Sequence, residues 1–515
     1  MGTTRRTSPQ HADAEAGTTA GPAAGTDTAG PADGPQGAGR PQEAGRAQEA
    51  GCPQEAGRAQ EQEQAQTAAA RLTRAGAHGV ALTWVDNAGL TRVKAVPAGR
   101  LGQALATGVG MSPCFDAYLV DDSMADSPHV GGPDGDLRLV PDLERLTVLA
   151  AQPGWAWAPV SRYEQDGTPY AGCQRGFARR MAEQALDEHG IELRMGFETE
   201  WVVTRGPLPA AAGEPVYPTT GPAYGMARLV ETSDYLREIL SALTAQGVEV
   251  LQIHPEYAPG QFEVSVAPSD PVGAADLAVL VRETVRAVSL RHGLTAMFGP
   301  VVDPAGVGSG GHVHLSLWRE GRNLCAGGEG PFGMTRSSEA FLAGVLRELP
   351  ALLALGAPTP ASYLRLRPSR WAGAYQCWGL ENREAALRFV AGTRRAPHCA
   401  NAEVKCVDAA ANPYLLAGGV LAAGLAGLAE LTGDDGPRLP APVRGDPAHA
   451  APQQAPGRLP GSLGEALRHF AASEVLRTAL GEPLFGAVHA VREGEIALFE
   501  GASDHELAAA TRGRY

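Results

Sequence analysis

Large apolar side chains are missing from the first seventy positions, and that absence is the sharpest boundary in the chain. Residues 1–70 hold no Val, Ile, Leu, Phe, Tyr or Trp. Such a stretch has almost no apolar surface with which to offset the entropy of ordering. Its run Arg40-Pro-Gln-Glu-Ala-Gly-Arg-Ala-Gln-Glu-Ala-Gly returns almost unchanged from Cys52, a repeat too short and polar for a solenoid. Residues 1–70 therefore read as a disordered, low-complexity tail with no catalytic role. Order is expected from a short helix near Ala68–Ala75. Val80–Asp86 then alternates as a strand, Asn87–Leu90 turns, and Thr91–Val96 returns as a hairpin. Ser123–Asp136, rich in Pro, Gly and Asp, predicts a loop, and residues 71–168 form a small α+β domain. From 169 to 515 strands alternate with amphipathic helices, expected at Gly176–His189, Ser233–Gln246, Asp276–His292 and Ser338–Leu355. Pro413–Ala429 is apolar but short for a membrane span, which predicts a buried helix. Leu439–Pro460 predicts a long loop before a helical tail.

Composition narrows the class. The 515 residues suffice for two or more domains and a large core. A net charge of −14, without a basic stripe, argues against nucleic-acid or membrane-surface binding. The seven cysteines are odd in number and never spaced Cys-x-x-Cys, so neither a disulfide framework nor a thiolate zinc site is expected. A reducing cytosol is the default compartment. The first residues lack the apolar core of a signal peptide.

Candidate chemistry lies in five segments. In Met195-Gly-Phe-Glu-Thr-Glu-Trp-Val-Val two acids interrupt an apolar strand, and residues two apart share a face, so Glu198 and Glu200 point the same way. Two adjacent carboxylates in apolar surroundings call for a cation; a solvated strand face is the bland alternative. In His254-Pro-Glu-Tyr-Ala-Pro-Gly-Gln-Phe-Glu a turn brings Glu256 near a strand carrying Glu263. Gly306-Val-Gly-Ser-Gly-Gly-His-Val-His-Leu-Ser runs a glycine-rich loop into a strand with His312, His314 and Ser316 on one face. Trp378-Gly-Leu-Glu-Asn-Arg-Glu-Ala-Ala-Leu-Arg presents Arg383 and Arg388. Asn401-Ala-Glu-Val-Lys places Glu403 and Lys405 together, ahead of Asn412-Pro-Tyr-Leu. Oxygen donors with an imidazole suit Mg²⁺ or Mn²⁺. Two such ions with arginines suit phosphoryl transfer, and the chain has no Gly-x-x-x-x-Gly-Lys-Ser/Thr phosphate loop.

In this order the segments resemble the glutamine synthetase family, whose Gly-x-Glu-x-Glu, Gly-Gln-x-Glu, Gly-Ser-Gly-x-His-x-His-x-Ser-Leu, Asn-Arg-(x)4-Arg and Ala-Asn-Pro-Tyr-Leu signatures are all legible from about residue 80 to Tyr515. The resemblance implies an α+β fold: a small N-terminal β-grasp-like domain and a large catalytic α/β domain with a curved antiparallel sheet. It implies Glu200, Glu256 and Glu263 as ligands of one metal ion, and Glu198, His312 and Glu403 as ligands of a second on the ATP phosphates. It further implies His314, Ser316, Arg383 and Arg388 on the nucleotide, with Gly308, Arg365, Lys405 and Trp371 on the substrate side. Arg365, Arg383 and Arg388 are the expected catalytic cations, and the expected assembly is a homododecamer of stacked rings with active sites between subunits. The implied chemistry is phosphorylation of the glutamate γ-carboxylate by ATP, then attack of an amine on the acyl phosphate.

Three positions depart from the family pattern. Lys405 replaces an arginine, which keeps the charge and loses the bidentate fork. Val307 stands where a substrate-contacting Asn is usual. Trp371 occupies the place of the flap glutamate that shields the acyl phosphate and takes a proton from ammonium. Asp121 and Asp122 are candidates for the ammonium-site aspartate. The phosphorylating half is expected intact and the amine half altered, which favours a primary amine or polyamine over ammonia. Ordinary glutamine synthetase, a catalytically silent structural or regulatory member, and a two-metal hydrolase are the alternatives.

Overall fold

A computed structural model describes residues 53–130, 132, 134–206, 215–451, 453 and 455–515. Most of the predicted tail, residues 1–52, lies outside them. The expectation for residues 53–70 is corrected: a helix runs Pro53–Arg74, well before Ala68. It packs on the helix Leu101–Thr107 through Ala68 and Leu72, both buried. Alanines contribute little to a hydrophobic profile, yet at helical spacing they let two backbones approach closely, so the docking face carried no signal of large side chains.

The hairpin forms as expected, Gly79–Val85 against Thr91–Pro97. It belongs to a six-stranded sheet ordered Thr91–Pro97, Gly79–Val85, Trp155–Tyr163, Leu137–Pro141, Val109–Met111, with Thr147–Val148 on the edge of Trp155–Tyr163. Gly79–Val85 and Trp155–Tyr163 are parallel and the other pairs antiparallel.

A second sheet of nine strands carries the acidic segments. Its main path is Tyr375–Leu380, Ala385–Val390, Asn401–Val404, Val313–Arg319, Glu192–Arg205, Gln261–Val266, Val250–Pro255. All neighbours along it are antiparallel except the first two, which run parallel. That pair departs from the antiparallel expectation, because residues 381–384 carry the chain back to the start of its neighbour. The four predicted amphipathic helices appear as Gln174–His189, Ser233–Ala245, Pro271–Arg291 and Arg336–Gly356.

Pro413–Ala429 is a helix buried along nearly its whole length against Arg336–Gly356 and Gln174–His189. Gly427 is required at the first contact, because a Cβ there would overlap the Ala340 carbonyl. Among the described residues no helix is long and apolar enough to cross a membrane. The Asn412-Pro-Tyr-Leu segment is structural: Asn412 Oδ1 caps the helix, accepting from Tyr414 N at 2.9 Å and Leu415 N at 3.1 Å. Its Nδ2 donates to the Val85 and Asp86 carbonyls, which ties the small sheet's hairpin to the large core.

Candidate active site

Register across the large sheet assembles two lateral rows of functional side chains. Directly opposed residues on neighbouring strands lie side by side on one face. Glu200 pairs with Glu263, and Glu263 with His254, across three strands. Glu403 pairs with both His314 and Arg388 across three others. Alternation along Glu192–Arg205 puts Glu198 beside Glu200, between the rows. Donor atoms of His254, Glu256 and Glu263 all lie within 4.8 Å of one another, as do those of Glu198, His314 and Glu403.

The acidic row is crowded. Burial, followed by the Glu200 charge, pushes Glu256 up to about 7. Burial and then the charges of Glu198, Glu200 and Glu256 push Glu263 up to about 9. Burial and, after it, mutual charge raise these carboxyls, a cost that a bound cation would relieve, and oxygen donors with an imidazole fit a divalent metal ion. The Tyr224 hydroxyl donates to Glu256. Gln261 Nε2 donates to Glu200 Oε2 at 3.0 Å and to the Gly308 carbonyl at 3.2 Å, which orients the carboxylate and anchors the glycine loop.

The second row is paired instead. Glu198 accepts from His312 Nδ1 at 2.9 Å and His314 Nε2 at 3.1 Å. Burial opposes its ionisation, yet these imidazoles hold it far below the usual carboxylate range. Burial likewise opposes a charged His314, but the Glu198 bond and the Glu403 charge outweigh it and push the imidazole up to about 9. Glu403 is buried and receives Lys405 Nζ at 3.0 Å and Arg388 Nη1 at 2.9 Å. Burial would raise its pKa, but Lys405 and the two histidines bring it down to about 2.

Arg365 bridges the rows, its Nη2 3.1 Å from His312 Nε2 and donating to the Lys405 carbonyl at 3.0 Å. Its Nη1 is buried without a hydrogen-bond partner among the described residues. Such a donor lining a cavity suits an anion. Gly310 allows this convergence, because a Cβ there would sit 2.5 Å from His312 Nε2, 2.9 Å from Glu200 Oε1 and 3.0 Å from Arg365 Nη2.

These groups line one cavity of about 720 Å³. It brings together Glu198, Glu200, Glu256, Glu263, His312 and His314 with Gly308, Arg365, Arg383, Arg388, Lys405 and Trp371. Two predicted residues do not line it. Ser316 is buried farther along the His314 strand, its hydroxyl accepting from Trp318 Nε1 at 2.9 Å. Glu403 is buried behind the wall with its oxygens paired to Lys405 and Arg388, while one of them stays within 4.8 Å of donor atoms of Glu198 and His314. Asp121 and Asp122 are also elsewhere: Asp122 pairs with Arg92 at 2.6 Å and Arg514 at 3.5 Å, and Asp121 accepts from Ser123.

Aromatic rings close one side of the cavity. Tyr257 meets Tyr224 and Trp371 edge-on at 5.8 Å and 5.5 Å between centroids. Trp371 is 52% exposed and, like Ser369, has a positive φ, a backbone state that costs free energy unless its surroundings hold it. Glu384 Oε1 supplies that hold by accepting Trp371 N at 2.6 Å. Sequence reasoning passed over His254, Gln261, Tyr224 and Glu384. His254, Gln261 and Glu384 lie inside quoted motifs, and the first two were within reach of a strand-face argument, whereas Glu384 reaches the site through its contact with Trp371 and Tyr224 through its contact with Glu256.

Comparison with known proteins places this geometry. A family model described as the glutamine synthetase N-terminal domain matches residues 65–170, and one described as the glutamine synthetase catalytic domain matches residues 171–508. A gamma-glutamylpolyamine synthetase of Streptomyces coelicolor is 55% identical over 453 residues, covering 87% of this chain and 96% of that protein. A glutamine synthetase of Pyrococcus abyssi is 31% identical over 419 residues, covering 78% and 87%. A solved glutamine synthase homologue superposes with a TM-score of 0.75 at 34% identity, over 85% of this chain and 99% of its own. A complex of GmaS with ADP gives a TM-score of 0.73 at 26% identity, over 85% and 97%.

Proposed function

The chain belongs to the glutamine synthetase family, and from that premise we propose that it is an ATP-dependent ligase joining the γ-carboxylate of glutamate to a polyamine. The observation that carries this reading is an intact anion-handling site whose amine side is closed by Trp371 instead of a carboxylate. The extensive identity to a gamma-glutamylpolyamine synthetase supports the choice of amine.

We assign Glu200, Glu256 and Glu263 to one Mg²⁺ or Mn²⁺ ion, with His254 at hand, and Glu198, His312 and Glu403 to a second. Held there, divalent cations would neutralise the carboxylates and supply positive charge to the nucleotide phosphates. The chain's own cations do the rest. Arg365, with its free Nη1, holds the substrate carboxylate and the migrating phosphoryl group. Arg383 and Arg388 spread the charge that develops as a γ-carboxylate oxygen attacks the terminal phosphorus and ADP leaves. His314 stands on the same phosphates. Lys405 keeps Glu403 ionised and stands where the glutamate α-carboxylate is expected. The amine nitrogen then attacks the acyl carbon, phosphate departs, and a proton is lost from the new amide nitrogen.

An indole cannot take that proton, but its face attracts an alkylammonium more than a small, strongly hydrated ammonium ion. Met226, Val230 and Leu251 are exposed large apolar residues and would be covered in the homododecamer that the family resemblance implies.

The test measures ADP release with glutamate, ATP and Mg²⁺ against ammonium, butylamine, 1,4-diaminobutane and spermidine, with products identified by mass. A polyamine is expected to give the highest kcat/KM. Trp371→Glu should move the preference about tenfold toward ammonium, or ~1.4 kcal/mol. A wild-type enzyme that favours ammonium over every amine would make this an ordinary glutamine synthetase.

A further inference from the structure

A second cavity, of about 580 Å³, lies behind Trp371, within the range of small-molecule sites. Ser369, Trp371 and Arg383 line both it and the catalytic cavity. Phe332, Leu380 and Val443 supply apolar wall, and Glu381, Glu384 and Asp446 supply carboxylates.

These carboxylates are not equivalent. Glu381 is committed to Arg388. Asp446 accepts from Ser369 Oγ at 2.7 Å and from Ala448 N at 2.8 Å, and is partly open to solvent. Glu384 is 5% exposed. Its Oε1 is used by Trp371 N, while its Oε2 is buried with no hydrogen-bond partner among the described residues. Arg383 and Arg444 also line the cavity, but both side chains are exposed to solvent. Burial holds the Glu384 carboxyl above the ordinary range, and the nearby Asp446 charge adds to the effect.

A buried carboxylate with one oxygen lacking a hydrogen-bond partner is costly, and that oxygen is satisfied best by a desolvated cation. Glu384 lines only the second cavity, whereas Trp371, whose N–H it accepts, lines both. The alkyl spacer of a polyamine can lie along Trp371, Leu380 and Val443, with its far nitrogen delivered to Glu384.

We propose that this second cavity receives the distal ammonium of a di- or polyamine whose reacting nitrogen lies in the catalytic cavity, with Glu384 as counter-ion and Asp446 as its polar neighbour. The proposal rests on the amine-ligase reading above and adds the reason a second charge on the amine is selected. Because Glu384 also holds Trp371 N, the distal subsite and the indole wall form one unit.

The experiment compares 1,4-diaminobutane with butylamine, which have the same four carbons and differ by one ammonium. Wild type, Glu384→Gln and Asp446→Asn are assayed with saturating glutamate, ATP and Mg²⁺. Gln keeps an oxygen for Trp371 N, so the contact survives while the charge is lost. The diamine-to-butylamine ratio of kcat/KM should fall at least tenfold in Glu384→Gln, through the KM for the diamine, with the KM for glutamate unchanged. Asp446→Asn, at a loop position away from that contact, should lower the ratio about threefold and serves alone if Glu384→Gln fails to fold. Ratios within twofold of wild type in the folded variants would overturn the subsite and leave the ligase reading standing. A wild-type enzyme that accepts neither amine and uses ammonium alone would overturn both.

Discussion

Glu263 and Glu403 are both buried carboxylates of one site, and their surroundings set opposite responses to neutralisation. Glu263 faces other carboxylates and is pushed up to about 9, so in the metal-free protein its burial is favourable only when protonated. Its contribution is complete below the unfolded pKa, near 4.3, and is lost as pH rises through about 9. Glu256, pushed up to about 7, acts in the same direction. Glu403 is brought down to about 2 by Lys405 and the histidines; its contribution is present above the unfolded pKa and lost as pH falls through about 2. Metal-free protein should therefore show a Tm that declines from pH 6 to pH 9, and saturating Mg²⁺ should flatten the decline. Glu263→Gln should raise the metal-free Tm at pH 8 while removing turnover. Glu403→Gln should lower Tm from pH 6 to pH 9, where the carboxylate is ionised, because breaking a buried ion pair costs ~3–5 kcal/mol. Calorimetry with and without chelator checks each statement, and a metal-free Glu263→Gln that melts below wild type would contradict the crowding argument.

The glycine loop shows how an element limits chemistry without contributing a reacting group. Glu198 N donates to the His312 carbonyl at 2.9 Å, and Glu200 N to the Gly310 carbonyl at 3.4 Å, so the loop is laced onto the strand that carries both acids. The Cβ of Gly310→Ala would enter the space between His312, Glu200 and Arg365, and these three cannot all yield without leaving their places. Turnover should fall at least a hundredfold, the loss expected from displacing groups by about 1 Å, while Tm changes by only a few degrees. Saturating substrate should not restore the rate, since the loss lies in alignment. The helix Pro53–Arg74 answers to packing instead. Leu72 is fully buried, so Leu72→Ala should cost ~2–4 kcal/mol of stability and leave the KM for glutamate unchanged.

At the scale of the whole molecule, the last residue is held by the core, and the composition of the first fifty-two bears on what they can contribute to stability. Tyr515 is buried, and its carbonyl accepts Phe298 N at 3.1 Å, which ties the C-terminus into the core beside the strand Leu294–Met297. By composition residues 1–52 offer no large apolar side chain to any core. Deleting 1–52 should leave kcat/KM and the oligomer measured by light scattering as in the full chain. Deleting 1–76 removes Ala68 and Leu72 from their cluster and should lower Tm by several degrees. Loss of activity in the first truncation would give the repeat segment a role that its composition does not suggest.

Local alternation in the sequence determined much of the site. Residues two apart on a strand share a face, which was enough to set Glu198 beside Glu200, and Asn382-Arg-(x)4-Arg with the other signatures carried the family. Helix periodicity placed four amphipathic helices within a few residues of their observed ends, and the apolar length of Pro413–Ala429 marked a buried helix. Tertiary structure alone decided the lateral order. His254 against Glu263 and Glu403 between His314 and Arg388 are matters of strand register, set by loops and by packing across the whole sheet. The same holds for the pairing of Glu403 with Lys405 and Arg388, the absence of Ser316 from the cavity lining, and the contact that brings Glu384 to Trp371. Periodicity along a chain is a property of neighbouring residues, whereas register, burial and unpaired charge exist only once distant strands have met.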